Sequence, residues 1–182
     1  NRPWAVKEHK GKVYVGVVCS AETSGNRSDM KTQIFVFDPV TQQWSEVFNN
    51  PPSLDYSTKG CAVGMAPTGQ GLCCEWNTWL RPNEYLYTGV NPEGFICHSQ
   101  PILSDLEFDA DGSIILGFMD RFGLQIGWSN GHNPASISFF SGMAGGDILY
   151  AYNDRIANRF IFNSGQNILD ANGNIVKTGC GT

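Results

Sequence analysis

Strand-sized apolar runs separated by short polar turns occupy both ends of the chain. Residues 4–9 and 12–19 predict two strands joined by the turn His9-Lys10-Gly11. The second run, from Lys12 to Cys19, is almost continuously apolar and β-branched, the pattern of a strand buried on both faces. After a polar loop over 20–31, Ile34-Phe35-Val36-Phe37 predicts a third strand. Asp38-Pro39-Val40-Thr41 then predicts a turn, and residues 44–48 a fourth strand. These four strands make one antiparallel meander.

The pattern restarts after residue 100. A strand over 102–108, the hairpin turn Asp109-Ala110-Asp111-Gly112 and a buried strand over 113–119 precede a Gly-, Asn- and Ser-rich loop over 120–145. Strands follow at 148–152 and 159–162. A further hairpin opens at Ile168-Leu169, where Asp170-Ala171-Asn172-Gly173 repeats the earlier turn. Gly112 and Gly117 lie 101 positions after Gly11 and Gly16, so turn glycine matches turn glycine and strand glycine matches strand glycine. Gln33 to Asp38 likewise resembles Asp147 to Asn153. Recurring four-stranded meanders predict an all-β fold, a β-propeller or partial propeller, over a β-sandwich.

Between the two copies the pattern breaks down. Prolines and glycines punctuate residues 49–100 too densely for long elements, yet Trp76, Trp79, Tyr85 and Tyr87 exclude a disordered linker. The expected organisation is one domain over 1–182: a blade-like unit at 1–48, an ordered irregular insertion at 49–100, a second blade-like unit at 101–163 and a further hairpin over 164–182. Three blade equivalents fall short of a closed ring, so further blades or other chains are the expected partners. The start at Asn1 in place of a methionine likewise predicts a processed, excised or truncated piece.

Composition narrows the function classes. Charged residues make up only 16% of the chain, the net charge is −5 and no basic run occurs, so nucleic acid is not an expected partner. No window approaches the apolar length of a membrane-spanning helix. Six cysteines, Cys19, Cys61, Cys73, Cys74, Cys97 and Cys180, predict disulfides that stiffen the insertion, and hence a secreted or cell-surface protein. Cys73 and Cys74 are adjacent and Cys97-His98 lacks a second short pair, which argues against zinc.

Candidate chemistry concentrates at 105–120. Alternation places Asp105, Glu107 and Asp109 on one strand face. With Asp111, the carboxylates of Asp109 offer oxygen ligands to calcium, although Asp and Gly are also what a hairpin turn selects. Asp105, Glu107 and Asp120 are candidates for carbohydrate binding or glycoside hydrolysis, since residues two apart on a strand satisfy the carboxylate spacing. Arg121 and Trp128 complete the candidate ligand-binding set, Trp128 as a ring able to stack on sugars. The loop tryptophans Trp76 and Trp79 are expected to form a local core for the insertion. No catalytic elbow, phosphate loop or dinucleotide fingerprint occurs, and no catalytic residue is expected.

Two kinds of resemblance add to this reading. Phe37-Asp38-Pro39-Val40-Thr41-Gln42-Gln43-Trp44 resembles the ending of a kelch-type repeat. The strings from Arg2-Pro3-Trp4 through Gly11 to Glu22, from Leu103 through Gly112-Ser113 to Asp120-Arg121, and Gly145-Gly146-Asp147-Ile148-Leu149 are longer. They resemble the propeller-like N-terminal region of large bacterial surface proteins that carry serine-aspartate-repeat B-like domains. That resemblance implies a surface location and a propeller, and no reaction. Together these readings predict a non-catalytic extracellular module for surface architecture or adhesion, without a cofactor. The alternative is a propeller that binds or hydrolyses polysaccharide.

Overall fold

The computed structural model describes residues 1–50, 76–81, 94–96, 98–128, 130–131, 139–142, 144–162, 168–169 and 175–177. In chain order its strands are β1 (Arg2–His9), β2 (Lys12–Cys19), β3 (Lys31–Asp38), β4 (Gln43–Asn50) and β5 (Gly94–Ile96), then β6 (Pro101–Phe108) and β7 (Ile114–Asp120). A short helix, α1 (Arg121–Ile126), precedes β8 (Asn130–Gly131), β9 (Phe139–Gly142), β10 (Gly146–Asp154), β11 (Arg159–Phe162), β12 (Ile168–Leu169) and β13 (Ile175–Lys177).

Two four-stranded antiparallel sheets dominate, so the all-β expectation holds. One has the order β1-β2-β3-β4 and the other β6-β7-β10-β11. Both are meanders, the second interrupted between β7 and β10. The repeat seen in the sequence is also a repeat of register. Gly16 pairs with Ala5 and Ile34, while Gly117 pairs with Asp105 and Ile148. The first strand of each sheet carries a register shift at the same place, between Pro3 and Ala5 and between Leu103 and Asp105. The closing hairpins match too: Asp38 accepts from the amides of Val40 and Thr41, and Asp154 from those of Ile156 and Ala157. Each of these turns ends on a residue with positive φ, Gln42 at 56° and Asn158 at 51°.

Alternation fixes which faces meet. In the first sheet Val18, Ile34 and Val36 lie with Gly16 on the face turned toward the second sheet. In the second sheet that role falls to Ile114, Leu116 and Phe118 with Leu149 and Ala151. Since Gly117, on the other face of β7, is the counterpart of Gly16, the sheets meet front to back. β6 lies against β1 and β2, and β11 against β4. Leu103 and Leu106, both fully buried, sit in this seam. A Cβ built on Gly16 would stand 2.5 Å from Leu103 Cδ2 and 3.2 Å from Ala5 Cβ, so hydrogen is the substituent that lets the sheets close. At the seam's rim the Phe108 ring stacks on His9 at 3.9 Å and meets Tyr14 edge-on at 4.8 Å.

Two expectations need correction. The stretch 120–145 is not simply a loop. Asp120 caps α1 by accepting from the Phe122 amide, Gly127 ends it at φ 64°, and β9 follows. β9 pairs in parallel with β5, so the region read as an insertion contributes a strand to a small sheet of order β5-β9-β8. Cys19 is a free thiol, not half of a disulfide. Opposite Lys31 at the end of β2, alternation aims it with Val15 and Val17 onto the face turned away from the second sheet. Cys61, Cys73, Cys74, Cys97 and Cys180 lie outside the described residues, as do Tyr85 and Tyr87.

Gly16 and Gly117 should respond differently to substitution. Gly16→Val forces the seam apart and is expected to cost about 1–3 kcal/mol in urea unfolding. Gly117→Ala meets only ordinary contacts at 3.5 Å and beyond, and should be neutral to within ~0.5 kcal/mol. A second expectation concerns acid. The Lys12 ammonium at 3.1 Å, and then the Val40 and Thr41 amides, hold the Asp38 carboxyl below its ordinary range. Its contribution is therefore complete above the unfolded value of about 4 and fades as pH falls through the lower folded value. Thermal melts of Asp38→Asn should show a shallower loss of stability in that acid window than the parent.

Candidate functional site

The densest polar constellation lies where β2 and β7 end and β6 begins, at the close of the seam. Its centre is Asp120, the last residue of β7, only 1% exposed. Alternation carries it onto the same inward face as Ile114, Leu116 and Phe118. Asp120 Oδ1 accepts from the Gln100 amide at 2.8 Å and the Phe122 amide at 2.9 Å, and Oδ2 accepts from the Gly145 amide at 3.1 Å. One carboxylate thus joins the approach to β6, the start of α1 and the approach to β10. A buried carboxylate is tolerated here because backbone donors replace its lost water.

Around it a second layer ties the segment 76–81 to both sheets. The Trp79 amide donates to Ser20 O at 3.0 Å, and its indole Nε1 to Pro101 O at 3.0 Å. The Asn77 amide donates to Ser99 O at 2.7 Å, and His98 Nε2 lies 3.2 Å from Thr78 O. The guanidinium groups of Arg121 and Arg2 lie over the Trp79 ring, 4.7 and 5.3 Å from its centre, an arrangement favoured by the ring's negative face. Arg121 also donates to Gln100 Oε1, and Arg2 pairs with Glu22. Burial pushes the Arg121 guanidinium below its ordinary value. Arg81 Nε closes the layer by donating to Glu22 O at 3.0 Å.

The sequence-predicted site residues do not converge. Asp105 and Glu107 pair with Gly117 and Ile115, on the second sheet's outward face, whereas Asp120 points inward. Asp105 Oδ1 accepts from the Leu106 amide at 2.9 Å, and Glu107 pairs with Lys7 across the two edge strands. That pairing raises the Lys7 ammonium above its ordinary value, chiefly through the hydrogen bond to Glu107. Asp109 and Asp111 sit in the β6–β7 turn, where they accept from the amides of Ala110 at 2.7 Å and Ser113 at 2.8 Å. The Tyr150 hydroxyl approaches both, at 3.3–3.4 Å. Among the described residues no group of three or more His, Cys, Asp or Glu is gathered to hold a metal ion. Trp128, just past α1, is 78% exposed. Trp76 and Trp79 are buried, and Trp76 joins the main core against Phe118 rather than a local one.

Sequence reasoning missed Gln100, the Arg2–Glu22 pair and the role of Trp79. Each acts across 20 residues or more of chain, and no local pattern announces it.

No family model matches the chain, and no solved structure matches it. The chain is similar to Colossin-A of Dictyostelium discoideum, 33% identical over 126 residues. That match takes in 68% of this chain and 1% of Colossin-A, so the chain spans a very small part of its relative's length.

Replacing Asp120 tests its structural role. Asp120→Ala strands three inward amides and should lower unfolding free energy by about 2–4 kcal/mol, measured in urea. Asp120→Asn, which keeps one acceptor oxygen, should lose about half as much.

Proposed function

We propose that this chain is a non-catalytic scaffold module of propeller type, secreted or displayed at a cell surface, whose loops present contacts to partner chains. One observation carries the reading: the carboxylates a glycosidase would need are committed elsewhere. Asp120 is buried and accepts from three backbone amides, and Glu107 pairs with Lys7. An acid–base pair must instead face the scissile bond across an open cleft, with one carboxyl kept protonated by its surroundings. Asp105 and Asp120, on opposite faces of one sheet, cannot flank a shared substrate.

Support for the propeller comes from the front-to-back packing of two sheets with the same register and turns. In a propeller each blade packs its front on the back of the next, whereas the two sheets of a sandwich pack their equivalent faces against each other. The surface location rests on the resemblance to large bacterial surface proteins. Asp109 and Asp111 remain the place to look for calcium, with the turn using their oxygens as amide acceptors. Trp128 is the ring through which a sugar would be held if the module binds carbohydrate.

Reducing-end release from a panel of soluble polysaccharides separates the two readings. The parent chain should release no more than a buffer blank, and Asp105→Asn should leave that unchanged. Release that falls with Asp105→Asn or Glu107→Gln, in variants with parental melting temperatures, would make the chain a glycosidase.

A further inference from the structure

The loop between β2 and β3 carries a motif that the scaffold reading does not use. Asn26-Arg27-Ser28 is an Asn-x-Ser sequence without an intervening proline, and no other asparagine of the chain has Ser or Thr two positions on. The fold puts this motif at an exposed tip. Ala21 and Met30 are buried and tie the loop down at both ends, while every residue from Thr23 to Asp29 is exposed. The chain turns where the Gly25 amide donates to Ala21 O at 2.8 Å, with Gly25 at φ 68°, a backbone conformation that favours glycine. Asn26 follows in an extended conformation, and its Oδ1 accepts from the Ser28 amide at 3.1 Å. Its Nδ2 and the Ser28 hydroxyl make no hydrogen bond among the described residues. The side-chain oxygen is thus used by the turn, and the nitrogen is left to solvent.

We propose that Asn26 is an N-glycan acceptor, modified as the chain enters the secretory route of a eukaryotic cell. The proposal rests on the reading of the chain as secreted or surface-displayed, because the transferase works on the lumenal side of a membrane. Similarity to Colossin-A, a protein of the eukaryote Dictyostelium discoideum, fits such a route. The donor is an oligosaccharide joined through its C1 to a polyprenyl diphosphate. Asn26 Nδ2 bonds to C1 as the C1–O bond to the diphosphate breaks. The amide gives up one proton, and the lipid diphosphate leaves with the bonding pair. The Ser28 hydroxyl, two residues on, is the group by which the transferase knows its acceptor. What the fold must supply is room, since a glycan is bulky and keeps to the surface. Strand pairing stops at Cys19 and Lys31, and Arg81 bonds the loop at Glu22 and Thr23, short of the motif. A glycan on Asn26 therefore displaces neither ladder nor core. The tight turns after His9, Asp38 and Phe108 lie at the other end of the sheets and stay uncovered for partner chains.

Expression of the full chain in a eukaryotic culture, with a cleavable secretion signal supplied, tests this. The parent should carry one glycan, removed in a single step by peptide N-glycosidase. In heavy-oxygen water that enzyme leaves a labelled aspartate at the modified position, and peptide mass spectrometry should find the label at position 26. Asn26→Gln and Ser28→Ala should each lose the added mass completely, whereas Ser28→Thr should retain it. Both positions are exposed, so circular dichroism and melting of the variants should match the parent. Translation into endoplasmic-reticulum microsomes reads the same mass step on chains that are never released, so poor secretion does not hide the answer. A translocated parent without a glycan overturns the proposal, as does a glycan that survives in Asn26→Gln. A glycan on a chain that the cell retains would uphold the acceptor and count against the secreted reading. An unmodified chain in the medium would do the reverse.

Discussion

The seating of Leu103 against Gly16 is the contact on which the architecture depends. Stacked sheets ordinarily stand about 10 Å apart, held off by the side chains between them. Removing one side chain at the middle of β2 makes a hollow, and a leucine from β6 fills it. Burying that leucine is worth about 1.5–3 kcal/mol. The larger consequence is geometric: a knob in a hollow fixes both the distance and the lateral register of the two layers. Once they are set, Phe108 falls between His9 and Tyr14, and Lys7 reaches Glu107.

The opposite demand is met at the end of the seam. Three chain segments must leave the sheets there with their amides buried, and a buried amide without a partner costs more than a hydrogen bond returns. Asp120 answers for three such amides. A carboxylate is effective in this place because its two oxygens can accept from several amides at once. The layer above it, with Trp79 under two guanidinium groups, buries an aromatic ring while keeping its indole N–H bonded. This end of the molecule is built of interactions that hold strands in place, and its polarity is not by itself a sign of chemistry.

Most of the strand framework was legible in the sequence because its signals are local. A hairpin turn such as Asp109-Ala110-Asp111-Gly112 writes its geometry in four residues, and alternation of burial follows from the strand period. The same locality explains the misses. α1 is six residues long and carries no apolar stripe beyond Phe122 and Ile126, so its cap at Asp120 is its chief mark. The parallel pairing of β5 with β9 joins residues more than 40 positions apart, and nothing in either short run names the other. Asp120 was visible as an acidic residue at a strand end. That it turns inward to amides, and not outward to a ligand, follows only from the register of β7 against β6 and β10.

The register also explains why a repeat in sequence need not mean a repeat in environment. Gly16 and Gly117 have equivalent partners within their sheets, yet one is pressed by a leucine from the neighbouring layer and the other is not. Their neighbours have diverged accordingly: Ala5 beside Gly16 corresponds to Asp105 beside Gly117, a small apolar residue in the seam against a charged one at its rim. A buried carboxylate without a partner would oppose a dry contact there, whereas Asp105 retains its Leu106 amide and remains exposed. The apolar character of that face is carried instead by Ile115 and Ile148, away from the edge strand. The face is therefore graded, charged along β6 and apolar across β7 and β10. The internal seam shows the same gradient, with Lys7 and Glu107 at its edge and Leu103, Leu106 and Leu116 within.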